Sequence, residues 1–158
     1  MTVPNSGQPK HAPPEPLKQA ARELTVAVDS CFDEVQSAVL NGIVAFNTAA
    51  AGDGARQNVA VSVRQDGKVV GGAVGRFWHG WVYVDLFWVD EALQGQRVGS
   101  RVMDEMERHA RDLGARGVHL VTYSWQARPF YEKRGYCVFG ELGPYPEGHS
   151  CYWLSKTL

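Results

Sequence analysis

Two periodicities in the hydrophobic pattern divide most of the chain into predicted elements. Apolar residues recur every three or four positions from Phe32 to Phe46 and from Val98 to Leu113, which predicts two amphipathic helices. Shorter runs rich in β-branched and aromatic residues predict strands. We expect strands at 24–28, 58–64, 68–78, 81–89, 118–124, 136–141 and 151–154, a short helix at 126–133, and a loop at 48–56.

The order of these elements indicates the fold class. Tight turns at Asp66-Gly67 and His79-Gly80 would join three consecutive strands into an antiparallel meander. Helices precede the strands at 118–124 and 136–141, and a Pro/Gly loop joins the last two strands. The pattern therefore predicts an α/β (α+β) fold: a mixed, mostly antiparallel sheet with helices on both faces. Residues 1–20 are rich in proline and polar groups and predict a disordered tail, leaving 21–158 as a single domain.

Composition limits the partners and the cellular location that we expect for the protein. The net charge is −1, so we expect neither nucleic acid nor a membrane surface as a partner. No apolar run approaches the ~18 residues of a membrane span, and no signal peptide is visible, so a cytoplasmic protein is expected. Cys31, Cys137 and Cys151 match no metal spacing and are expected to be reduced, although Cys137 and Cys151 could be cross-strand neighbours.

The stretch LQGQRVGSRVM at 93–103 is the main candidate for a binding site. It follows a strand and places two glycines at the start of a helix, where unpaired backbone amides suit a phosphate group. It is neither a Walker loop nor a GxGxxG fingerprint, and a plain strand-to-helix turn is the alternative. The GGAVG run at 71–75 is followed by more strand and predicts a bulge or a close-packing site.

Two segments carry a resemblance to a known family. LFWVDEALQGQRVGSRVMDEMERHA and QARPFYEKRGYCVFGEL resemble the GNAT superfamily of acetyl-CoA-dependent N-acetyltransferases. Gln94 and Gly99 match the ends of the family pattern Q/R-x-x-G-x-G/A, whereas Arg97 replaces its glycine. The second pattern, A-x-x-F-Y-E-K-x-G-[FY], is matched from Ala127 to Tyr136. The resemblance covers roughly residues 57–158 and implies a GNAT-like fold.

The resemblance implies acetyl-CoA as co-substrate and no metal. The pyrophosphate cradle would consist of Gln94, Gly95, Gln96, Arg97, Val98, Gly99 and Ser100. Its main-chain amides tolerate an arginine if Arg97 has ordinary helical dihedrals. The pantetheine arm would run along Phe87, Trp88 and Val89, and Ser124 stands where the family often has asparagine.

Two residues are candidates for proton transfer. Tyr131 matches the family tyrosine that protonates the departing thiolate. A free thiol has a pKa of about 8.5, so its thiolate is a poor leaving group without such help. Packing of the Tyr131 ring in the core is the alternative. Asp85 is the only acidic residue within 81–89 and would share one strand face with Trp81, Tyr83, Phe87 and Val89. It is a candidate base for the amine, and a solvated or structurally paired carboxylate is the alternative. The family leaves the base open, so four other residues stay candidates: Glu141, Glu147, His79 and His149.

An aromatic-rich neighbourhood suggests an acceptor pocket for a cationic amine. Its members are Trp78, Trp81, Tyr83, Trp88, Trp125 and Tyr145. About two of the six are expected in the pocket, the rest in the core. We assign acceptor binding to Trp81, Tyr83 and Glu141.

The resulting expectation is acetyl transfer to a primary amine of a small molecule, such as an aminoglycoside-type antibiotic or a polyamine. Because no cysteine lies in either motif, we expect direct transfer without a covalent acetyl-enzyme. A protein lysine or N-terminal acetyltransferase and a non-catalytic acetyl-CoA-binding regulatory module are the alternatives. The fold's exposed edges also make a homodimer an expectation.

Overall fold

The computed structural model describes residues 24–158 and, over that range, contains six strands and three α-helices. The elements are α1 (Phe32–Ala51), β1 (Gln57–Gln65), β2 (Lys68–Trp78), β3 (Trp81–Val89), a short 3₁₀ turn (Glu91–Leu93), α2 (Val98–Asp112), β4 (Gly117–Tyr123), α3 (Arg128–Glu132), β5 (Cys137–Leu142) and β6 (Cys151–Thr157). The predicted disordered tail at 1–20 lies outside the described residues. Within residues 24–158, no helix is both long and apolar enough to cross a membrane.

The six strands form one sheet in the order β1-β2-β3-β4-β6-β5. β3 and β4 are parallel, and every other neighbouring pair is antiparallel. The parallel pair follows from the sequence order, because α2 carries the chain back from the end of β3 to the start of β4. The mixed, mostly antiparallel α/β class predicted from the sequence is confirmed.

The core lies between α2 and one face of the sheet. α2 contacts β1, β2, β3 and β4. Met103, Met106 and Ala110 are completely buried on its inner side, as the helical periodicity predicts. They pack with Val82, Val118 and Leu154 of the sheet, also completely buried. α2 is therefore fixed against the strands whose ends form the site described below.

The chain divides into a unit that ends at Val39 and a larger unit from Leu40 to Leu158. In the first unit, the predicted strand at 24–28 is wrong, because these residues are exposed and carry no secondary structure. An alternating pattern is only a weak signal until another strand pairs with it. α1 extends to Ala51 instead of ending near Asn47, since alanine has the highest helix propensity. No residue of α1 is buried.

The register of β5 and β6 shows whether Cys137 and Cys151 are cross-strand neighbours. Cys137 lies opposite Ser155, and Cys151 lies opposite Leu142. The two cysteines are therefore not cross-strand neighbours, and that hypothesis is wrong. All three cysteines are free in the structure, and Cys151 is buried.

Candidate active site

A cleft opens where β3 and β4 separate. Their parallel pairing ends at Val84 and Leu120, although β3 continues to Val89 and β4 to Tyr123. The edge of β3 that faces β4 therefore has no strand partner from residue 85 onward. The cleft has a volume of about 1140 Å³ and is lined by both strand ends, the start of α2, and α3. A cavity of this size accommodates a large organic ligand.

A β-bulge places Asp85 at the mouth of the separation. Gly75 pairs with Val84 and Val74 pairs with Leu86, so Asp85 is an extra residue in β3. The strands approach so closely here that a Cβ on Gly75 would collide with the backbone oxygen of Tyr83. The prediction of a bulge or close packing at 71–75 is confirmed.

The bulge reverses the alternation of buried and exposed side chains along β3. Val82 and Val84 face the core before it, whereas Phe87 packs against the core and Val89 is buried after it. The predicted parity, in which Asp85 and Tyr83 share a face with Phe87 and Val89, is therefore wrong beyond Asp85. One extra residue shifts every later side chain to the opposite face.

The loop before α2 has the backbone of a glycine-rich turn. Gly95 has φ 75°, and Arg97, the N-cap of α2, has φ 58° and ψ 14°. The backbone of Arg97 is thus left-handed, so the condition of ordinary helical dihedrals is not met. The family pattern has glycine at this position, which fits the observed backbone. Arg97 adopts the required conformation at a cost of roughly 1–2 kcal/mol.

We expect Arg97→Gly to raise the free energy of unfolding by about 1 kcal/mol, because glycine removes the steric cost of the left-handed backbone. Arg101→Gly is the matched control, since Arg101 lies within α2 and glycine should destabilise it there by about 1 kcal/mol. Urea unfolding measures both. A loss of stability in both variants would contradict the strain at Arg97.

The first turn of α2 supplies unpaired donors to the cleft. The amide of Arg101 donates to the carbonyl of Arg97 (3.1 Å), which begins the hydrogen-bond pattern of α2. The amides of residues 98–100 precede it and have no intrahelical acceptor. Val98, Gly99 and Ser100 all line the cleft. These donors, together with the helix dipole, suit an anionic group.

Gly99 has a packing role as well. A Cβ at this position would lie 3.2 Å from the ring of Phe87 and 3.7 Å from that of Phe130. The absence of a side chain therefore lets the first turn of α2 approach β3 and α3. At Gly95, by contrast, a Cβ would meet no atom within 4 Å, so the positive φ is the reason for glycine there.

The remaining residues predicted for the coenzyme fall into two groups. Phe87, Trp88, Val89, Gln94, Gly95 and Arg97 line the cleft. The side chain of Gln94 also donates to the carbonyl of Val89 (3.4 Å) and so ties the loop to the end of β3. Gln96 and Ser124 lie outside the cleft lining. Gln96 donates instead to the carbonyl of Ala92 (2.8 Å), and the Ser124 hydroxyl lies 2.8 Å from Nδ1 of His149.

Tyr131 lies in the cleft wall and is almost completely buried. Its ring makes edge contacts with Phe87, Phe130 and Tyr136. Burial raises the pKa of the Tyr131 phenol to about 12. The hydroxyl therefore remains protonated at neutral pH and is available as a hydrogen-bond donor.

Asp85 lines the same cleft and forms an ion pair with Arg76. Nη2 of Arg76 lies 3.0 Å from Oδ1 of Asp85, and the Asp85 side chain is 31% exposed. The guanidinium of Arg76 also lies over the ring of Tyr83, at 5.5 Å. Oδ2 makes no hydrogen bond with any residue of 24–158, which leaves one carboxylate oxygen for another ligand.

The other candidate bases lie elsewhere. Glu141 and His149 line a small depression in the β5–β6 loop, together with Gly143, Pro144, Gly148 and Ser150. His79 packs against Trp78, and Glu147 is exposed in the same loop as His149. None of these four lines the cleft that holds Tyr131 and Asp85.

More aromatic residues reach the cleft than the sequence suggests. Four of the six predicted candidates line it: Tyr83, Trp88, Trp125 and Tyr145. Trp81 does not, because its ring packs edge-on against His119. Tyr123 and Gln126 also line the cleft and were missed. The side-chain oxygen of Gln126 accepts from the Tyr123 amide (3.1 Å) and holds the turn after β4. The alternation of β4, continued to its end, was the available signal for Tyr123.

Comparisons with known proteins agree with this geometry. The model of the acetyltransferase (GNAT) family matches residues 25–136. An acetyltransferase of Agrobacterium fabrum is 35% identical over 134 residues, covering 84% of this chain and 98% of that protein. A blasticidin-S acetyltransferase of Streptomyces morookaense is 37% identical over 93 residues, covering 58% of this chain and 68% of that protein.

A crystal structure of an acetyltransferase from Bacillus cereus is also similar, with a TM-score of 0.78 and 27% identity. The similarity covers 85% of this chain and 98% of that one. The chain therefore belongs to the GNAT acetyltransferase family, and the resemblance drawn from its two motifs is confirmed. It is an acetyltransferase of the family that uses acetyl-CoA.

Proposed function

We propose that the protein transfers the acetyl group of acetyl-CoA to the primary amine of a small molecule. The observation that carries this proposal is the convergence of three features on one cleft. The end of β3 that has no partner on the β4 side, the free amides of α2 and the buried side chain of Tyr131 all line it. Each corresponds to a different part of an acetyl-transfer site.

The chain's residues fit acetyl-CoA along the length of the cleft. The amides of Val98, Gly99 and Ser100 would bind the pyrophosphate, with Arg97 at the same rim. The backbone of 87–89 would bind the pantetheine arm through its unpaired polar groups. When bound, acetyl-CoA supplies an acetyl group activated as a thioester.

The pKa of Tyr131 indicates how this residue would act. A thiol has a pKa of about 8.5, so complete proton transfer from a phenol of pKa about 12 costs roughly 5 kcal/mol. A hydrogen bond donated to the sulfur does not carry that full cost and still stabilises the negative charge that develops there. We therefore assign Tyr131 the role of hydrogen-bond donor to the leaving group.

Asp85 is our candidate for the base that accepts the amine proton. It is the one carboxylate among the described residues that line the cleft. An ammonium has no lone pair, so deprotonation must precede attack. Arg76 binds Oδ1 and orients the carboxylate, which leaves Oδ2 to face the acceptor or a bridging water.

We expect Asp85→Asn to lower kcat most at neutral pH and to recover part of the rate at high pH, where more of the amine is already neutral. The asparagine keeps the shape of the side chain but cannot accept the proton. Profiles of kcat and KM against pH, measured with one verified amine, test this. A higher KM with an unchanged kcat profile would instead indicate that Asp85 binds the acceptor's charge.

The size of the site and the name of one relative support a class of acceptor. The cleft is a groove of small-molecule dimensions, and the Streptomyces morookaense relative is named for an antibiotic. Antibiotic-type amines, including aminoglycosides, and polyamines therefore belong among the acceptors to test. The arginine in the cradle does not favour a non-catalytic module, because Arg97 adopts the backbone that the family's glycine provides.

A free-thiol release assay over a panel of amines tests the proposal. The panel contains an aminoglycoside, a polyamine, an aromatic monoamine and a lysine-containing peptide, each with acetyl-CoA. We expect thiol release to rise above the amine-free rate with at least one small amine and not with the peptide. Release with the peptide alone would indicate a protein acetyltransferase, and tight acetyl-CoA binding without release from any amine would indicate a binding module.

A further inference from the structure

Three aromatic rings form a parallel stack in the cleft wall. Tyr123 ends β4, Trp125 lies in the following turn, and Tyr145 lies in the β5–β6 loop. The centroid of the Tyr123 ring is 4.6 Å from that of Trp125 and 5.8 Å from that of Tyr145. The interplanar angles are 8° and 10°, so these three residues, here called the aromatic stack, present nearly parallel planes.

The aromatic stack is accessible to a ligand. Trp125 is 51% exposed and Tyr145 is 47% exposed, and all three residues line the cleft. Large aromatic side chains that keep half of their surface accessible in a concave site are typical of ligand recognition. His149 contacts the Trp125 ring edge-on, at 5.1 Å, and supports it from outside the cleft lining.

The charges of the cleft limit which amines fit beside the aromatic stack. Among its described lining residues, only Asp85 and Arg97 are charged. Arg97 belongs to the start of α2, and Asp85 is already bound to Arg76. A polycation would lose solvation here without a carboxylate for each of its charges. A flat ring, by contrast, stacks favourably on an aromatic face without any charge partner.

We propose that the aromatic stack binds a flat aromatic or heteroaromatic ring of the acceptor, and that the preferred substrates are ring-bearing amines rather than polyamines or aminoglycosides. This inference rests on the proposed acetyl transfer and specifies its substrate class. The ring lies against Trp125 or Tyr145, and the amine extends toward Asp85 and Tyr131 in the same cleft.

Phenethylamine and its saturated counterpart cyclohexylethylamine provide the test. Both are primary monoamines of similar size, and only the first has an aromatic ring. We expect kcat/KM for phenethylamine to exceed that for cyclohexylethylamine by about tenfold, the order of effect that stacking on a protein aromatic residue produces. Trp125→Leu should remove most of this preference and Trp125→Phe should retain it.

Phe139→Leu is the matched control. Phe139 is 63% exposed, lies in β5 and does not line the cleft, so its loss should leave the ring preference unchanged. Equal kcat/KM for the two amines in the wild-type enzyme would overturn the role of the aromatic stack and leave acetyl transfer standing. A preference for phenethylamine that persists in Trp125→Leu would also overturn the role of the aromatic stack.

Calorimetry in the presence of CoA separates this inference from the proposed function. If no amine is acetylated, tighter binding of phenethylamine than of cyclohexylethylamine, lost in Trp125→Leu, would support the ring site and contradict acetyl transfer. Equal binding of the two amines would overturn the ring site.

Discussion

Replacing Tyr131 by phenylalanine is expected to lower kcat about a hundredfold, the order of effect found when one donor to a developing negative charge is removed. The ring contacts with Phe87, Phe130 and Tyr136 remain, so the fold and the coenzyme affinity should change little. Steady-state kinetics with one verified amine gives kcat, and calorimetry gives the affinity for acetyl-CoA. Because burial raises the pKa of Tyr131 to about 12, the wild-type kcat should not fall through its ionisation until the pH approaches that value.

Tyr136→Phe is the matched control for Tyr131→Phe. Tyr136 is also a buried tyrosine, but its hydroxyl donates to Glu107 (3.3 Å) and it does not line the cleft. Removing that hydroxyl should lower stability by about 1 kcal/mol and leave kcat nearly unchanged. Equal kcat in wild type and Tyr131→Phe would exclude Tyr131 from the chemistry.

Replacing Glu107 by alanine is expected to lower the free energy of unfolding by about 3 kcal/mol. The Glu107 side chain is 5% exposed and lies on the inner side of α2. Its carboxylate binds Nζ of Lys156 (2.6 Å) in β6 and Nη2 of Arg134 (3.1 Å), which follows α3. Without it, these two partly buried cations lose their shared partner. α2 then loses this polar connection to β6 and keeps only the Asp104–Arg134 pair to the segment after α3.

Glu105→Ala is the matched control on the same helix. Glu105 pairs with Arg108, but both side chains are at least half exposed, so its loss should lower the free energy of unfolding far less than the loss of Glu107. Urea unfolding of the two variants measures the difference. Similar small losses of stability in both variants would contradict the stabilising role of the Glu107 ion pairs, which link α2 to β6 and to the segment after α3.

The parts of the fold that the sequence predicts are those with a repeated local signal. The periodicity of α2 survives in its buried residues Met103, Met106 and Ala110, and three tightly connected strands appear as an antiparallel meander. The strand predicted at 24–28 failed because a strand also requires a partner, which five alternating residues do not specify. The extension of α1 to Ala51 was foreseeable from its alanines.

The site was predictable in its residue types and less so in its geometry. The two motifs identify the amides of α2 and Tyr131, whereas the face on which Asp85 lies depends on a bulge that only the pairing with Gly75 reveals. The left-handed backbone of Arg97 could have been inferred from the glycine that the family has there. The aromatic stack could not, because Tyr145 reaches Tyr123 through a loop of irregular backbone.

The fate of a labelled acetyl group tests the central claim most directly. The wild-type protein is incubated with acetyl-CoA labelled in the acetyl group and with a reactive amine from the panel, and the products are separated by mass spectrometry. We predict that each released thiol is matched by one labelled amide on the acceptor's amine, and that Tyr131→Phe slows both equally. Labelled acetate in place of the amide, or a label attached to the protein and not to the amine, would contradict direct acetyl transfer in this cleft.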